Sequence, residues 1–545
     1  MRGGLWQIAS LLMSVNAAFS TIVSDIDSKD GNRRAADQPV FTNNIQRFDR
    51  QTETSTSRGG EVKALKKVFL SNRSITCNDG SQAGFYLRKS HSSKMWIIFL
   101  EGGWYCYDHH SCRNRWLKQR HYMTSSHWPD TRDVGGMLSP LASENPFWYN
   151  ANHVFVAYCT SDSWSGSRPP TAGQPFGFMG SLVVGQVIRD LLPLGLENGT
   201  EVLLAGSSAG GVGVMLNLDF VKELLHDELQ LRYITVRGIT DSGWFLDRTP
   251  YAPTNKPTVD AIKKGMEMWR GKVPRRCREE YLQEPWRCYF GYRIYPTLKS
   301  DLFVFQWLFD EAQISADNVG APVTKQQWDY IHEMGDALKH SFQNVSAVFA
   351  PSCVSHAVLT KRDWQLVKID DVSIAEALHC WEQKTKRRRL KRLKNAAKRR
   401  RNRVSGGKNK RAETVSRTGN KRRQRNNRKG RRKHDRNRQQ LTHNRPTSIV
   451  PSPGEKRPPR TLPGAQKPRH RCAHRRLERC SWPQCNHSCP RLHDPFTGEE
   501  MDFIQLLKSF GLDMDSVANA LGIDIQTLNN MDHGELLNLL TQQST

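Results

Sequence analysis

A serine in a glycine-rich turn is the residue best suited to chemistry in this 545-residue chain. Residues 206–211 read Gly-Ser-Ser-Ala-Gly-Gly and match G-x-S-x-G, the nucleophile elbow, with Ser208 as the nucleophile. An apolar run, Val202–Ala205, precedes the motif and a helical pattern, Val212–Leu225, follows it. This context predicts a sharp strand-to-helix turn that presents Ser208 to an acyl carbon. An ordinary serine in a flexible turn is the alternative.

A second glycine-rich stretch lies where an oxyanion-binding loop would be expected. Residues 101–105 read Glu-Gly-Gly-Trp-Tyr and follow the apolar run Met95–Leu100, upstream of the elbow. In α/β-hydrolases this loop supplies backbone N–H groups to the oxyanion, together with the residue after the nucleophile. We therefore expect the donors to be the N–H groups of Gly103, Trp104 and Ala209. A plain β-turn is the alternative for the first two.

A serine nucleophile needs a histidine base and an acid to orient it, in the chain order Ser, acid, His. Five histidines follow Ser208 before the chain becomes strongly basic: His226, His332, His340, His356 and His379. His356 is the best candidate, because it lies in a loop directly after the apolar run Val345–Ala350. Asp241 and Asp310 both follow apolar runs, and their spacing alone does not decide which is the acid.

The elements that must position these residues alternate between apolar runs and helical patterns. Four runs are typical of buried strands: Met95–Leu100, His153–Cys159, Val202–Ala205 and Tyr233–Ile239. Gly180–Leu192 and Val212–Leu225 have apolar residues at helical spacing. This order predicts an α/β-hydrolase fold, a mainly parallel sheet with helices on both faces. Ligands of such sheets bind at the carboxyl ends of the strands.

The net charge of +28 comes from one segment. Residues 384–471 contain 35 Lys and Arg, three Asp and Glu, and no Phe, Tyr or Trp, so we predict a disordered basic insertion. The rest is close to neutral. We expect a catalytic domain over 65–383 and a Cys-rich, helical C-terminal part over 472–545 that packs on it, with two or three short helices within 502–540.

The N-terminus predicts secretion. Residues 1–20 have a basic start at Arg2, an apolar stretch, Leu5–Val15, and small residues suited to cleavage, as in a signal peptide. Residues 21–64 are expected to be a disordered lead-in. No apolar run is long enough to span a bilayer, so we expect no transmembrane segment. Glycosylation sequons begin at Asn72, Asn198, Asn344 and Asn486.

Twelve cysteines in a secreted chain predict a disulfide framework. A zinc site is the alternative for one late cluster: Cys472, His474, Cys480, Cys485, His487 and Cys489. We expect disulfides there, and no metal or cofactor in the chain.

Five motifs in order give the chain a family resemblance. They are Glu-Gly-Gly-Trp-Tyr-Cys (101–106), Gly-Ser-Ser-Ala-Gly-Gly (206–211), Asp-Ser-Gly-Trp-Phe-Leu-Asp (241–247), Gln-Trp-Leu-Phe-Asp-Glu-Ala-Gln (306–313) and Ser-His (355–356). They resemble the Notum family, secreted carboxylesterases of the pectin acetylesterase-like group that remove palmitoleate from Wnt proteins. The likeness covers about 65–383 and resumes near 472.

This resemblance implies roles for individual residues. Ser208 would be the nucleophile, Asp310 the orienting acid and His356 the general base. The oxyanion hole would again comprise Gly103, Trp104 and Ala209. The resemblance also implies that the protein removes palmitoleate from a serine of Wnt proteins and so antagonises Wnt signalling outside the cell.

A fatty acyl chain needs a deep apolar pocket beside the nucleophile. The candidates are apolar or aromatic residues next to the catalytic motifs, about half of which we expect to line the cavity: Trp104, Tyr105, Trp244, Phe245, Tyr289, Phe290 and Ala312. Tyr289 departs from the family pattern, which has Phe there, and its hydroxyl would need a hydrogen-bond partner.

The basic insertion is a second departure, because vertebrate relatives have a much shorter connection at 384–471. In a secreted protein its expected partner is heparan sulfate, as on glypicans, rather than nucleic acid; a solubilising loop is the alternative. Lys386-Arg-Arg-Arg389 also resembles a protease-processing site. Two other functions remain open: a polysaccharide O-acetylesterase, and a non-catalytic heparan-sulfate-binding protein.

Overall fold

The computed structural model describes residues 64–252, 258–320, 324–391, 394–395, 472–493, 500–501, 505, 508, 513–531 and 535. The predicted signal peptide, the lead-in up to residue 63 and residues 396–471 of the basic insertion lie outside this part. The chain divides into two compact units, Met1–Trp381 with Ala473–Thr545, and Glu382–Cys472. In the second unit, residues 382–391 are helical.

A ten-stranded sheet forms the centre of the first unit. Its strands are β1 (Leu65–Phe69), β2 (Gly84–Arg88), β3 (Met95–Leu100), β4 (Thr131–Arg132), β5 (Asn152–Val156), β6 (Glu201–Ser207), β7 (Thr235–Asp241), β8 (Asp301–Phe305), β10 (Val348–Ala350) and β14 (Arg475–Leu477). Their order across the sheet is β14-β10-β8-β7-β6-β3-β5-β2-β1-β4. The strands from β14 to β5 run parallel, and β2, β1 and β4 add an antiparallel edge.

Short two-stranded pairs complete the strands. They are β9 (Phe309–Asp310) with β11 (Val354–Ser355), β12 (Lys368–Ile369) with β13 (Val372–Ser373), and β15 (Leu492–His493) with β16 (Glu500–Met501). The first pair is parallel and carries two residues of the candidate site to its end.

Helices cover the sheet. They are α1 (His109–Lys118), α2 (Gly180–Leu191), α3 (Ala209–Glu223), α4 (Thr258–Met268), α5 (Arg275–Glu280), α6 (Gly291–Ile294), α7 (Glu311–Ala316), α8 (Lys325–Ser341), α9 (Met514–Leu521) and α10 (Ile525–Asn530). Residues 374–381 are also helical. Single turns occur at Arg120–Tyr122, Gly136–Leu138, Leu196–Asn198, Leu224–Glu228, Pro285–Tyr289, Tyr295–Thr297 and Trp364–Leu366.

The sheet has an apolar core on each face, which explains its unbroken apolar strands. In β3, Trp96, Ile98 and Leu100 belong to one core cluster, whereas Ile97 and Phe99 belong to the other. Side chains alternate along a strand, so a strand buried on both faces reads as a continuous apolar run. The predicted α/β-hydrolase fold is confirmed.

Strand ends differ in detail from the sequence prediction. The predicted run His153–Cys159 is a strand only to Val156, because the N–H of Tyr158 donates to the Glu101 carboxylate (2.8 Å) and Cys159 is tied to Cys77. Among the described residues, no helix combines the length and the apolar character needed to cross a membrane.

The disulfide framework is confirmed. Five bonds are Cys77–Cys159, Cys106–Cys112, Cys277–Cys288, Cys353–Cys489 and Cys480–Cys485, and Cys380 and Cys472 are also disulfide-bonded. The cysteine sulfurs of the alternative zinc cluster are therefore in disulfides and are not thiolate ligands. Cys353–Cys489 joins parts of the first unit that lie on either side of the insertion in sequence.

Candidate active site

Ser208 stands in the turn between β6 and α3. Its φ of 58° and ψ of −124° are a strained conformation for a residue with a side chain, and its N–H donates to the Asp241 carbonyl at 2.8 Å. Gly210 permits the turn, because a Cβ there would lie 2.0 Å from the Leu100 carbonyl oxygen. Ser208 is 9% exposed, at the carboxyl end of the sheet.

His356 contacts Asp310 through the geometry of two short strands. Ser355 lies directly opposite Asp310 in the β9–β11 pairing. His356 is the next residue, and its Nδ1 lies 3.1 and 3.0 Å from the two carboxylate oxygens of Asp310. When Nδ1 donates to Asp310, Nε2 is the nitrogen that can accept a proton from a nucleophile.

The Asp310 carboxylate is itself held in place. Its side chain is 1% exposed and caps α7 by accepting from the N–H groups of Ala312 and Gln313, at 3.0 and 3.2 Å. Gln306 donates its amide to the other carboxylate oxygen at 3.0 Å. These donors fix the carboxylate plane, so its direction toward His356 does not depend on solvent.

Opposing effects act on the protonation of His356. Burial alone lowers the pKa of the imidazole, but the charge and hydrogen bond of Asp310, followed by the charges of Asp241 and Glu311, outweigh it. The pKa of His356 is therefore raised above its usual value of 6.5. The imidazolium that forms during proton transfer is stabilised in the same way.

Asp241, the other acid candidate, has a different environment. Its Oδ2 accepts from Ser207 Oγ (2.5 Å) and from the N–H groups of Val358 (2.9 Å) and Leu359 (3.0 Å). Its Oδ1 accepts from Ser242 Oγ at 2.8 Å. Of the two carboxylates that spacing left open, Asp310 is the one that hydrogen bonds to the imidazole.

The loop after β3 packs against the nucleophile. A Cβ on Gly102 would lie 2.7 Å from the Ser207 carbonyl oxygen and 2.9 Å from Ser208 Cβ. The N–H groups of Gly103 and Trp104 find no acceptor among the described residues. Ala209 begins α3, where first-turn N–H groups have no intrahelical partner. All three predicted oxyanion donors are thus uncommitted in the described part of the chain.

Sequence reasoning missed the residues that hold this loop. Buried Arg115 donates to the carbonyl of Gly103, and Tyr158 Oη donates to the carbonyl of Trp104 at 2.9 Å. These hydrogen bonds to the carbonyls of Gly103 and Trp104 restrict rotation of the loop backbone, and so restrict the directions of its N–H groups. No local motif marks Arg115, which lies on α1 in an otherwise polar sequence.

Five of the seven pocket candidates form one aromatic cluster. Their ring-centroid distances are 4.8 Å for Trp104–Tyr105, 6.4 Å for Trp104–Phe245, 6.1 Å for Tyr105–Tyr289 and 5.7 Å for Tyr289–Phe290. Trp104 is 36% exposed, whereas the other four are buried. The cluster extends from the candidate oxyanion loop into the core.

The Tyr289 hydroxyl has the partner that its burial requires, Ser163 Oγ at 3.0 Å. Burial raises the pKa of this phenol, so Tyr289 is neutral. Trp244 differs from the cluster: its ring packs on Tyr295 and Phe342, at 5.7 and 5.4 Å. Ala312 is half-buried beside Asp310.

The other four histidines considered as candidates for the base contact different groups. His226 Nε2 lies 2.7 Å from the Ile234 carbonyl, the His332 ring packs on Trp482, and the His379 ring stacks on Phe147. His340 Nδ1 lies 3.0 Å from Gln343 Nε2.

Three of the four sequon asparagines are exposed, and one is not. Asn72, Asn198 and Asn344 are at the surface. Asn486 is buried, and its Nδ2 donates to the Lys368 carbonyl (2.7 Å) and to Glu478 (2.6 Å). A glycan on that nitrogen would displace these contacts, which disfavours glycosylation at Asn486.

A second set of contacts that the sequence did not signal comes from beyond the insertion. Gln484 is 5% exposed, its N–H donates to the Ser352 carbonyl (2.8 Å), and its Oε1 accepts from the N–H of Val354 (2.8 Å). Ser352 Oγ donates to the Cys480 carbonyl at 2.9 Å. The C-terminal part therefore buttresses the loop that carries His356.

A strained serine at the carboxyl end of a central parallel strand, together with a histidine paired to an aspartate, is the set of groups that serine hydrolases of the α/β-hydrolase fold use. The fold and this site define the chain as a member of that class. Within it, the chain belongs to the pectinacetylesterase family, whose model matches residues 61–397.

Individual relatives agree with this assignment. The chain is 47% identical to the palmitoleoyl-protein carboxylesterase NOTUM of Drosophila melanogaster, over 92% of this chain and 90% of the relative. It is 38% identical to the Homo sapiens protein of that name, over 86% and 81%. A solved structure of the Wnt deacylase Notum from Drosophila aligns with a TM-score of 0.62 at 49% identity, covering 78% of this chain and 100% of that one.

Proposed function

We propose that this protein is a secreted serine carboxylesterase that removes palmitoleate from a serine of Wnt proteins and thereby antagonises Wnt signalling. The observation that carries the proposal is the pairing of His356 with Asp310 at the edge of the sheet where Ser208 stands. The names of the relatives, palmitoleoyl-protein carboxylesterase and Wnt deacylase, supply the substrate.

Acylation of the enzyme is the first step. His356 Nε2 accepts the Ser208 proton as Ser208 Oγ attacks the ester carbonyl, and Asp310 stabilises the imidazolium. The N–H groups of Gly103, Trp104 and Ala209 hold the negative oxygen of the tetrahedral intermediate. The intermediate collapses, His356 returns the proton to the departing Wnt serine oxygen, and Ser208 keeps the acyl group.

Deacylation repeats the same proton path with water. His356 accepts a proton from a water molecule that attacks the acyl-enzyme, and then returns it to Ser208 as palmitoleic acid leaves. The buried rings of Tyr105, Phe245, Tyr289 and Phe290 offer apolar surface to the acyl chain, with Trp104 at the exposed end of the cluster. No metal or cofactor enters either step.

The decisive experiment compares the secreted protein with Ser208→Ala. The substrates are 4-nitrophenyl esters from acetate to long chains and a palmitoleoylated Wnt peptide. Turnover of long-chain esters and of the peptide, lost in the variant, is the expected result. Turnover confined to acetate would favour a polysaccharide O-acetylesterase, which the family description suggests. The absence of Ser208-dependent turnover would leave a non-catalytic heparan-sulfate-binding protein.

We further propose that residues 384–471 bind heparan sulfate, as on glypicans, and concentrate the enzyme at cell surfaces. The 35 Lys and Arg of this segment support the proposal, because sulfated polysaccharides are the polyanions that an extracellular chain meets. The test variant keeps the length of the segment and replaces its Lys and Arg with Ser and Gly. This variant should elute from heparin at low salt and retain ester turnover. Tight heparin binding by the variant would refute the proposal.

A further inference from the structure

Asp241 connects the nucleophile turn to the segment that follows His356. It is the last residue of β7 and is fully buried. On one side its carbonyl accepts the N–H of Ser208, and its Oδ2 accepts the hydroxyl of Ser207. On the other side the same Oδ2 accepts the N–H groups of Val358 and Leu359. One residue thus bonds to Ser208 and Ser207 on the nucleophile side, and to the second and third residues after His356 on the other.

Ser242 extends this connection to the residue next to the histidine. Its hydroxyl donates to Asp241 Oδ1 at 2.8 Å and accepts the N–H of Ala357 at 3.1 Å. Ser242 and Ala357 both have positive φ values, 52° and 54°. Backbone strain of this kind persists only where surrounding contacts hold it, and here the contacts converge on the Asp241 carboxylate.

We infer that Asp241 is a positioning residue, which holds the His356 imidazole at the distance and angle from Ser208 that proton transfer requires. The inference rests on the proposed esterase activity. Asp241 does not touch the substrate, so its effect should fall on kcat and leave KM nearly unchanged.

The charge of Asp241 provides a readout that a purely structural role would not move. The charged groups that raise the pKa of His356 are Asp310, Asp241 and Glu311, in that order, and Lys361 acts in turn on Glu311. Removing the Asp241 charge lowers the pKa of His356. The base must be neutral to work, so the acid limb of the kcat/KM profile should move to lower pH.

The test uses three variants of the full chain. Asp241→Asn keeps the shape and removes the charge, and Ser242→Ala keeps the charge and removes the acceptor for Ala357. Asp219→Asn is the matched control. Asp219 lies on α3, well beyond the nucleophile turn, and is buried like Asp241. Its carboxylate accepts the N–H groups of Lys299 and Ser300 and the Ser300 hydroxyl. The substrate is a soluble medium-chain 4-nitrophenyl ester, assayed from about pH 5 to pH 9.

Asp241→Asn should lower kcat about tenfold with KM within about twofold, and should shift the acid limb to lower pH. Ser242→Ala should lower kcat without moving that limb. Asp219→Asn should change neither. An Asp241→Asn enzyme with the parent kcat and the parent acid limb would overturn the inference, as would an equal loss in Asp219→Asn. If Asp241→Asn does not fold, an unchanged kcat in Ser242→Ala overturns it.

Ser208→Ala separates this inference from the proposed function. Ester turnover that survives Ser208→Ala refutes the proposed function itself. Turnover that is lost in Ser208→Ala, with Asp241→Asn behaving like the parent, refutes only the positioning role.

Discussion

The side chain of Gln484 accepts a hydrogen bond at 2.8 Å from the N–H of Val354, which lies two residues before His356. These partners are separated in sequence by the whole basic insertion. The segment after the insertion also adds β14 to the central sheet, alongside β10. The C-terminal part of the chain therefore contacts the loop before His356, even though Ser208, Asp310 and His356 all precede the insertion.

Gln484→Ala should lower kcat several-fold and the unfolding temperature by a few degrees. The substitution leaves the Val354 N–H without its acceptor, at a cost of about 1–3 kcal/mol, and loosens the loop before His356. Gln365→Ala is the control, because the Gln365 amide holds the carbonyls of Ser143 and Glu144 instead. Equal kcat losses in both variants, measured by ester turnover, would contradict this role of Gln484.

Cleavage within residues 396–471 should leave the two parts covalently joined through Cys353–Cys489. Because the parts also share a sheet, ester turnover should survive. The measurement is gel electrophoresis of the nicked protein with and without reductant. Two bands should separate only after reduction, and release of the C-terminal part without reductant would be the contrary outcome.

Gly102→Ala should lower kcat about tenfold or more. The new Cβ would come within 2.7 Å of the Ser207 carbonyl oxygen, so either the candidate oxyanion loop or the nucleophile turn must move. Gly173→Ala is the matched control, since nothing lies within 4 Å of its Cβ position. Steady-state kinetics on a short ester compare the two, and parent-like turnover in Gly102→Ala would refute the close packing.

The pH dependence of turnover should reflect His356. Its pKa is raised above 6.5, so kcat/KM should increase with pH through a midpoint above that value. Asp310→Asn removes the largest raising effect and the orienting hydrogen-bond acceptor. Turnover should fall about 10³–10⁴-fold, and any residual activity should have its acid limb at lower pH. A parent-like rate in Asp310→Asn would reopen the choice of acid.

Phe245→Ala should penalise long acyl chains more than acetate. Phe245 is buried beside Trp104, and its loss removes apolar surface that a long chain would contact. We expect kcat/KM for long-chain esters to fall about 10–100-fold relative to acetate. Tyr289→Phe keeps the ring and removes only the hydroxyl, so it should preserve the chain-length profile. A uniform loss across chain lengths in Phe245→Ala would place that ring outside the pocket.

Local sequence determined the elements and the nucleophile turn. Alternating apolar runs and helical patterns are sufficient to predict a parallel sheet, because each strand must be buried on both faces. Glycines around Ser208 are sufficient to predict the elbow, because only small residues fit that turn. Cysteine count and compartment likewise predicted disulfides, although not which cysteines pair.

Tertiary structure alone decided which groups meet. Asp241 and Asp310 both end or follow apolar strands, and only the pairing of β9 with β11 brings one of them to His356. Asn486 fits the sequon as well as Asn72 does, but the fold buries it. Arg115 and Gln484 act through hydrogen bonds to backbone groups in other segments of the chain, the Gly103 carbonyl and the Val354 N–H. Such contacts depend on how separate elements pack, and no periodicity or spacing within one segment records that packing.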